Sequence, residues 1–173
     1  WSPTAGVLRY MAEKAPTNGS NKQLLLQKIY IKDCSFESPR APEIFKGNLT
    51  PQTQLNIKSS AKEVDTDTQE VTLTLTVEAK DQEKTLFLVE LEQAGVFLMQ
   101  GYTEEERQML IGSYCPGALY PFAREAISDM VTRGGFPQLL LQPINFDALY
   151  AQAVQERLKG NGEKGTEAPK GAH

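Results

Sequence analysis

Hydrophobic and polar residues alternate cleanly in the middle of the chain. Val71, Leu73, Leu75 and Val77 are interleaved with Thr72, Thr74, Thr76 and Glu78, and a period of two marks a half-buried strand. Residues 85–93 repeat the pattern, with Phe87, Val89 and Leu91 on one face and Leu86, Leu88, Glu90 and Glu92 on the other. Residues 80–84 between them are polar and read as a hairpin turn. Residues 96–99 continue the second strand past a bend expected at Gly95. Residues 24–36 form an earlier strand whose apolar side chains fall on both faces, which predicts cover on both sides for part of it. Residues 54–60, with Leu55 and Ile57, form a weaker strand, and residues 65–69 a polar turn. The short polar connections predict an antiparallel meander. The long stretch holding Pro39, Pro42, Gly47 and Pro51 is an extended crossover loop.

Beyond residue 100 the period becomes helical. Thr103 and Glu106 form a capping box, with Glu104 and Glu105 at the positive end of the helix dipole. Met109, Leu110 and Ile111 follow; Pro116 is expected to interrupt the helix and Pro121 to disturb the next stretch. Ala123, Ile127, Met130 and Val131 continue an apolar stripe that Gly134 and Gly135 end. Residues 136–144 are apolar, and Pro137 and Pro143 keep them out of a helix. Asn145 caps a final helix expected to run to Leu158, with Phe146, Leu149, Tyr150, Ala153 and Val154 on its apolar side. Strands followed by helices define an α+β fold.

Composition narrows the function. The chain has 173 residues, 40% hydrophobic and 23% charged, which fits one domain with tails. The expected division is an extension over residues 1–22, disordered and with a native start at Met11, a domain over 23–158 and a flexible tail over 159–173. No apolar run approaches the ~20 residues of a membrane-spanning helix. Eighteen basic against 22 acidic residues leave a net charge of -4, the wrong sign for duplex nucleic acid or an anionic membrane surface. The two cysteines, Cys34 and Cys115, are expected to be free buried thiols in a reducing cytoplasm. The single histidine, His173, closes the polar tail, so triads, Cys-His dyads and histidine-rich metal cages are excluded. Residues 160–165 spell G-x-G-x-x-G but follow a helix, so no nucleotide site is expected.

Two constellations remain. Asp33 and Glu37 share one strand face, Glu90 and Glu92 another, and residues 60–92 carry nine acidic against three basic residues. These carboxylates form either a solvated sheet face or a docking face that steers a basic partner. Ile44, Phe45 and Leu49 in the crossover, and Phe136, Leu139, Leu140, Leu141 and Ile144 between the helices, either fill core under the loops or line a groove for extended peptide.

The ordered set of segments resembles the SecB family of bacterial protein-export chaperones. The segments are residues 30–39 (YIKDCSFESP), 87–91 (FLVEL), 93–97 (QAGVF), 114–125 (YCPGALYPFARE), 131–137 (VTRGGFP) and 143–150 (PINFDALY). The resemblance spans residues 23–158. It implies a four-stranded antiparallel sheet with helices packed on one side, assembled as a dimer of dimers. It implies no enzyme activity and no cofactor. It also implies that unfolded preproteins bind apolar grooves and pass to SecA, the translocation ATPase, whose contact positions fall on Asp33, Glu37, Leu88 and Glu90. The helix bearing Tyr114, Leu119, Tyr120 and Phe122 is the expected tetramer interface. Rival readings are a SecB-like chaperone for one client, such as a toxin–antitoxin pair, a carboxylate enzyme built on Asp33 and Glu37, and a purely structural oligomer.

Overall fold

Two β-bulges decide how the first strand uses its apolar residues. In the computed structural model, which describes residues 21–163, β1 (Gln23–Glu37) pairs antiparallel with β4 (Lys84–Gln100). The register slips between Leu26 and Lys28 and again between Ile31 and Asp33. Each slip leaves one residue unpaired and reverses the alternation. Leu24 and Leu26, Ile29 and Ile31, and Cys34 and Phe36 consequently share one face, opposite Met99, Phe97, Gly95, Gln93, Leu91 and Val89. The bulges thus bring most of the two apolar sets onto one inner face, while Leu25 and Tyr30 stay half-buried on the outer face opposite Leu98 and Ala94.

β2 (Gln52–Asp65) and β3 (Thr68–Asp81) complete a sheet of order β1-β4-β3-β2. β2, β3 and β4 are the expected meander, and the crossover carries the chain from one edge of the sheet to the other. That crossover holds a 3₁₀ turn, Glu43–Lys46, which buries Ile44. β4 does not bend at Gly95, which stays in register with Ile29 and Val71. The glycine admits a helix instead: a Cβ there would lie 2.8 Å from Leu119 Cδ2. The irregularity of β4 is at Leu86, which has no partner on β3 and turns inward beside Phe87.

The helices lie on the inner face. The capping box of Thr103 and Glu106 opens α1 (Glu104–Met109). Pro116 does not interrupt the chain: a π turn, Leu110–Tyr114, leads directly into α2 (Cys115–Arg133). Pro116 falls in the first turn of α2, and the wider turn before it relieves the clash of its ring with the carbonyl four residues back. Pro121 lies within α2, which continues through it. Cys115, Leu119, Ala123, Ile127 and Val131, at every fourth position, are buried against β4 and β3. Val71, Leu73, Leu75, Val77, Val89 and Leu91 meet them from the sheet, each contributing about 1.5–3 kcal/mol by burial. α2 ends at Gly134 and Gly135, the latter at φ 87°.

α3 (Phe146–Glu163) begins at the expected cap, where Asn145 Oδ1 accepts from the Ala148 amide at 3.0 Å. It runs past Leu158, so residues 159–163 of the expected tail are helical. The rest of the tail, with His173, and residues 1–20, with Met11, lie outside the described residues. Lys22, assigned above to the extension, pairs with Glu106 at 2.6 Å and stands over the Tyr102 ring. Both cysteines are free, but only Cys115 is buried, and burial pushes its thiol up to about 12. Cys34 is exposed because α2 lies mainly over β4 and β3 and touches the edge strand only in part.

Candidate functional surfaces

The outer face of the sheet, away from the helices, gathers residues from three strands. The register sets Glu37, Leu88 and Glu78 in one row, Ser35, Glu90 and Thr76 in the next, and Asp33, Glu92 and Thr74 in a third. Asp33, Glu37, Leu88 and Glu90 are thus brought together as expected. Glu92, read from the sequence as sharing a face with Glu90, joins them, and so does Glu78, which the general acidic excess did not single out. Asp33, Glu37 and Glu90 are exposed, Leu88 is half-buried with a carboxylate on either side, and none of the three exposed carboxylates enters an ion pair among the described residues.

The rest of the acidic excess does not lie on that patch. Asp67 pairs with Arg107, which ties the β2–β3 turn to α1. Glu70 accepts from Lys32 Nζ at 2.6 Å and from the Tyr30 hydroxyl. These hydrogen bonds, Lys32 first, hold the Glu70 carboxyl below its ordinary range, and the carboxylate pushes the Tyr30 phenol up to about 12. Glu78 is held low by Thr85 and then Lys80, yet keeps its place beside Leu88. Glu63, Asp65, Asp81 and Glu83, at the ends of β2, β3 and the β3–β4 turn, also form no ion pair among the described residues, so the patch around Leu88 and Glu90 holds part of the free negative charge, with Asp33, Glu37 and Glu90 unpaired on it.

The apolar residues separate into three places. Phe45 and Phe136 meet at 5.5 Å between ring centres, as a shared groove requires, and Phe87 lies 4.8 Å from Phe136 and 5.9 Å from Phe36. Phe36, partly buried, is an addition to this place, whereas Phe87, 4% exposed, is core lying beneath Phe136. Gly134 is needed here because any Cβ would enter the Phe36 ring. Phe45 is 49% exposed, whereas Ile44 and Leu141 are buried, each 6% exposed, and belong to the core rather than to a groove wall. Leu49, Phe136, Leu139 and Ile144 are partly buried against that core.

A second apolar place was not foreseen. α3 stands off from the inner face of β2 without closing on it, and Leu55, Ile57 and Ala61 form one wall of an open trench of about 550 Å³. Ile111, Leu149, Tyr150, Ala153 and Val154 form the other wall. The signals were present separately, as a weak strand and an amphipathic helix far apart in sequence, and nothing local showed that they face each other.

The third place is the flank of β1 and α2. Ile31 is 50% exposed and Phe122 46%, and a hollow between them is also lined by Ile29 and Ala126. Tyr114 is exposed as well. Leu119 and Tyr120, expected at an interface between protomers, are buried inside this one: Leu119 packs at Gly95, and Tyr120 against Phe146 with its hydroxyl donating to the Gln142 carbonyl at 2.5 Å.

Apolar surfaces on one side of a sheet and an acidic patch on the other define a protein that holds other chains. The family described as preprotein translocase subunit SecB matches residues 17–157. A protein-export protein SecB from Nitrosococcus oceani is 48% identical over 147 residues, 84% of this chain and 90% of that one. Another, from Legionella pneumophila, is 44% identical over 156 residues, 89% and 96% of the two chains. The structure of the Mycobacterium tuberculosis SecB-like chaperone Rv1957 superposes with a TM-score of 0.55 at 22% identity, covering 70% of this chain and 90% of that one, a likeness of fold. The chain belongs to the SecB family, and it is an export chaperone and not an enzyme. The resemblance and the four-stranded fold expected from sequence are borne out.

Proposed function

We propose that this chaperone binds unfolded preproteins along its inner-side apolar surfaces and delivers them to SecA through the outer acidic patch. The observation that carries the reading is the placement of the two surfaces on opposite faces of one sheet, so that a client and the ATPase can be held together. Exposed aromatic and aliphatic side chains supply non-directional affinity for many sequences. The open edge of β2 offers backbone groups without selecting side chains. Leu88 inside a carboxylate rim suits a basic partner surface, with charge setting encounter and the leucine setting residence. The working form is a homotetramer, a dimer of dimers, in the bacterial cytoplasm, and it uses the exposed Tyr114, Phe122 and Ile31. Among the described residues no helix is long and apolar enough to cross a membrane.

The test is capture of partners from bacterial lysate by the full chain, followed by calorimetry with SecA and with one unfolded preprotein. Recovery of many preproteins together with SecA is the expected result. A single dedicated client without SecA would overturn it.

A further inference from the structure

α3 is fastened at one end. It packs on the π turn, and its contact there is made by its first turns. The Tyr150 ring occupies the space a side chain on Gly112 would need. The hydroxyl of Ser113 donates to Asp147 Oδ1. Ser113 is only 6% exposed, so this carboxylate is what satisfies a polar group enclosed between the helices. Past Tyr150 the side chains of residues 151–159 are exposed except for a half-buried Val154, and Leu158 is 68% exposed. An 18-residue helix is about 27 Å long at 1.5 Å per residue. A small rotation at its fastened end therefore displaces Ala153, Val154 and Arg157 by ångströms relative to Leu55, Ile57 and Ala61 across the trench.

We propose that the Ser113–Asp147 hydrogen bond is the positioning contact that sets α3 over β2, and with it the width of the trench and the residence time of a bound client. The inference rests on the reading that clients lie in this trench. A hydroxyl donating to a carboxylate is a strong, directional contact. It joins the π turn to the second residue of α3, where it fixes the direction in which the helix leaves the body. The Tyr150 ring on Gly112 supplies packing but no comparable direction. Ser113 and Asp147 thus act through α3 and need not touch the client.

Hydrogen exchange and client dissociation, both on the full chain, test the proposal. Ser113→Ala should raise exchange about tenfold in the amides of residues 146–159 and leave those of β3 and β4 unchanged. It should also speed dissociation of an unfolded preprotein about fivefold. Asp147→Ala should behave alike, and the double variant should do no more than either alone. Asp147→Asn, which keeps an acceptor for the hydroxyl but loses the charge, should fall between Asp147→Ala and the wild type in both exchange and dissociation. SecA affinity should not move, because the patch at Leu88 is on the other face. Unchanged α3 exchange in Ser113→Ala, or an Asp147→Asn variant whose α3 exchanges as fast as that of Asp147→Ala, would overturn the positioning role. Raised α3 exchange with unaltered client dissociation would establish the contact and refute the trench as the client site. Leu55→Asp decides the trench independently, since it should weaken client binding without altering α3 exchange.

Discussion

Leu88 stands between Glu37 on β1 and Glu78 on β3, one row from Glu90. An apolar side chain inside a charged rim is where truncation costs most, about 2 kcal/mol or more. A single exposed charge is worth about 0–1 kcal/mol. Leu88→Arg should therefore weaken SecA binding at least tenfold and Glu90→Lys less, while calorimetry with an unfolded client shows no change for either. Equal losses for both ligands would mean that the substitutions disturb the fold. Burial separates two further residues. Phe45→Asp, at a half-exposed site, should weaken client binding with Tm little altered. Leu141→Asp places a carboxylate where 6% of the residue is exposed, and should lower unfolding stability by several kcal/mol. Denaturant titration of the two variants beside client binding checks both expectations.

Among the elements, the β3–β4 hairpin carries a local conflict. Gln82 and Glu83 both have positive φ, 46° and 64°, the geometry of a tight hairpin turn that favours Asn-Gly. Neither residue suits the left-handed region, which costs about 1 kcal/mol or more per side chain. Gln82→Asn with Glu83→Gly should raise stability by about 1 kcal/mol, read as a higher denaturant midpoint at unchanged m-value. Unaltered stability would mean that the turn is held by the ladder beyond it. The helical layer shows the opposite economy: the π turn lets one helical run pass through Pro116 while α2 keeps every fourth residue on the sheet.

At the scale of the whole molecule, charge and exposed apolar area govern association. Asp33, Glu37 and Glu90 lie unpaired together on the outer face of a chain with net charge -4, so SecA affinity should fall as salt rises from low to physiological strength. Client binding driven by apolar burial should show a negative heat-capacity change and weak salt dependence. Titrations of both ligands at two salt concentrations separate the mechanisms, and salt-independent SecA binding would remove the electrostatic account. Sedimentation should show four times the monomer mass, and Phe122→Glu should shift it toward smaller species while Leu119→Glu should simply unfold the protomer. A wild-type chain that sediments as monomer at micromolar concentration would contradict the assembly.

The alternation over 71–78 and 85–93, the cap at Thr103, the stop at Gly134 and the cap at Asn145 were all legible in the sequence. Each depends on residues within a turn or a ladder step of one another, so local pattern suffices. The residues near Leu88 were legible as a family resemblance and as shared strand faces, because alternation assigns a face wherever no bulge intervenes. What only the tertiary structure decided is non-local. The bulges in β1 exist only relative to β4, and they, not the alternation, place Ile29 and Ile31 on the same face as Leu24 and Phe36. Leu119 and Tyr120 read as interface residues until Gly95 and Phe146, far along the chain, were seen to enclose them. The trench has the same origin: an apolar strand and an apolar helix announce that each needs cover, but the way the chain returns from α2 leaves them facing each other across open space.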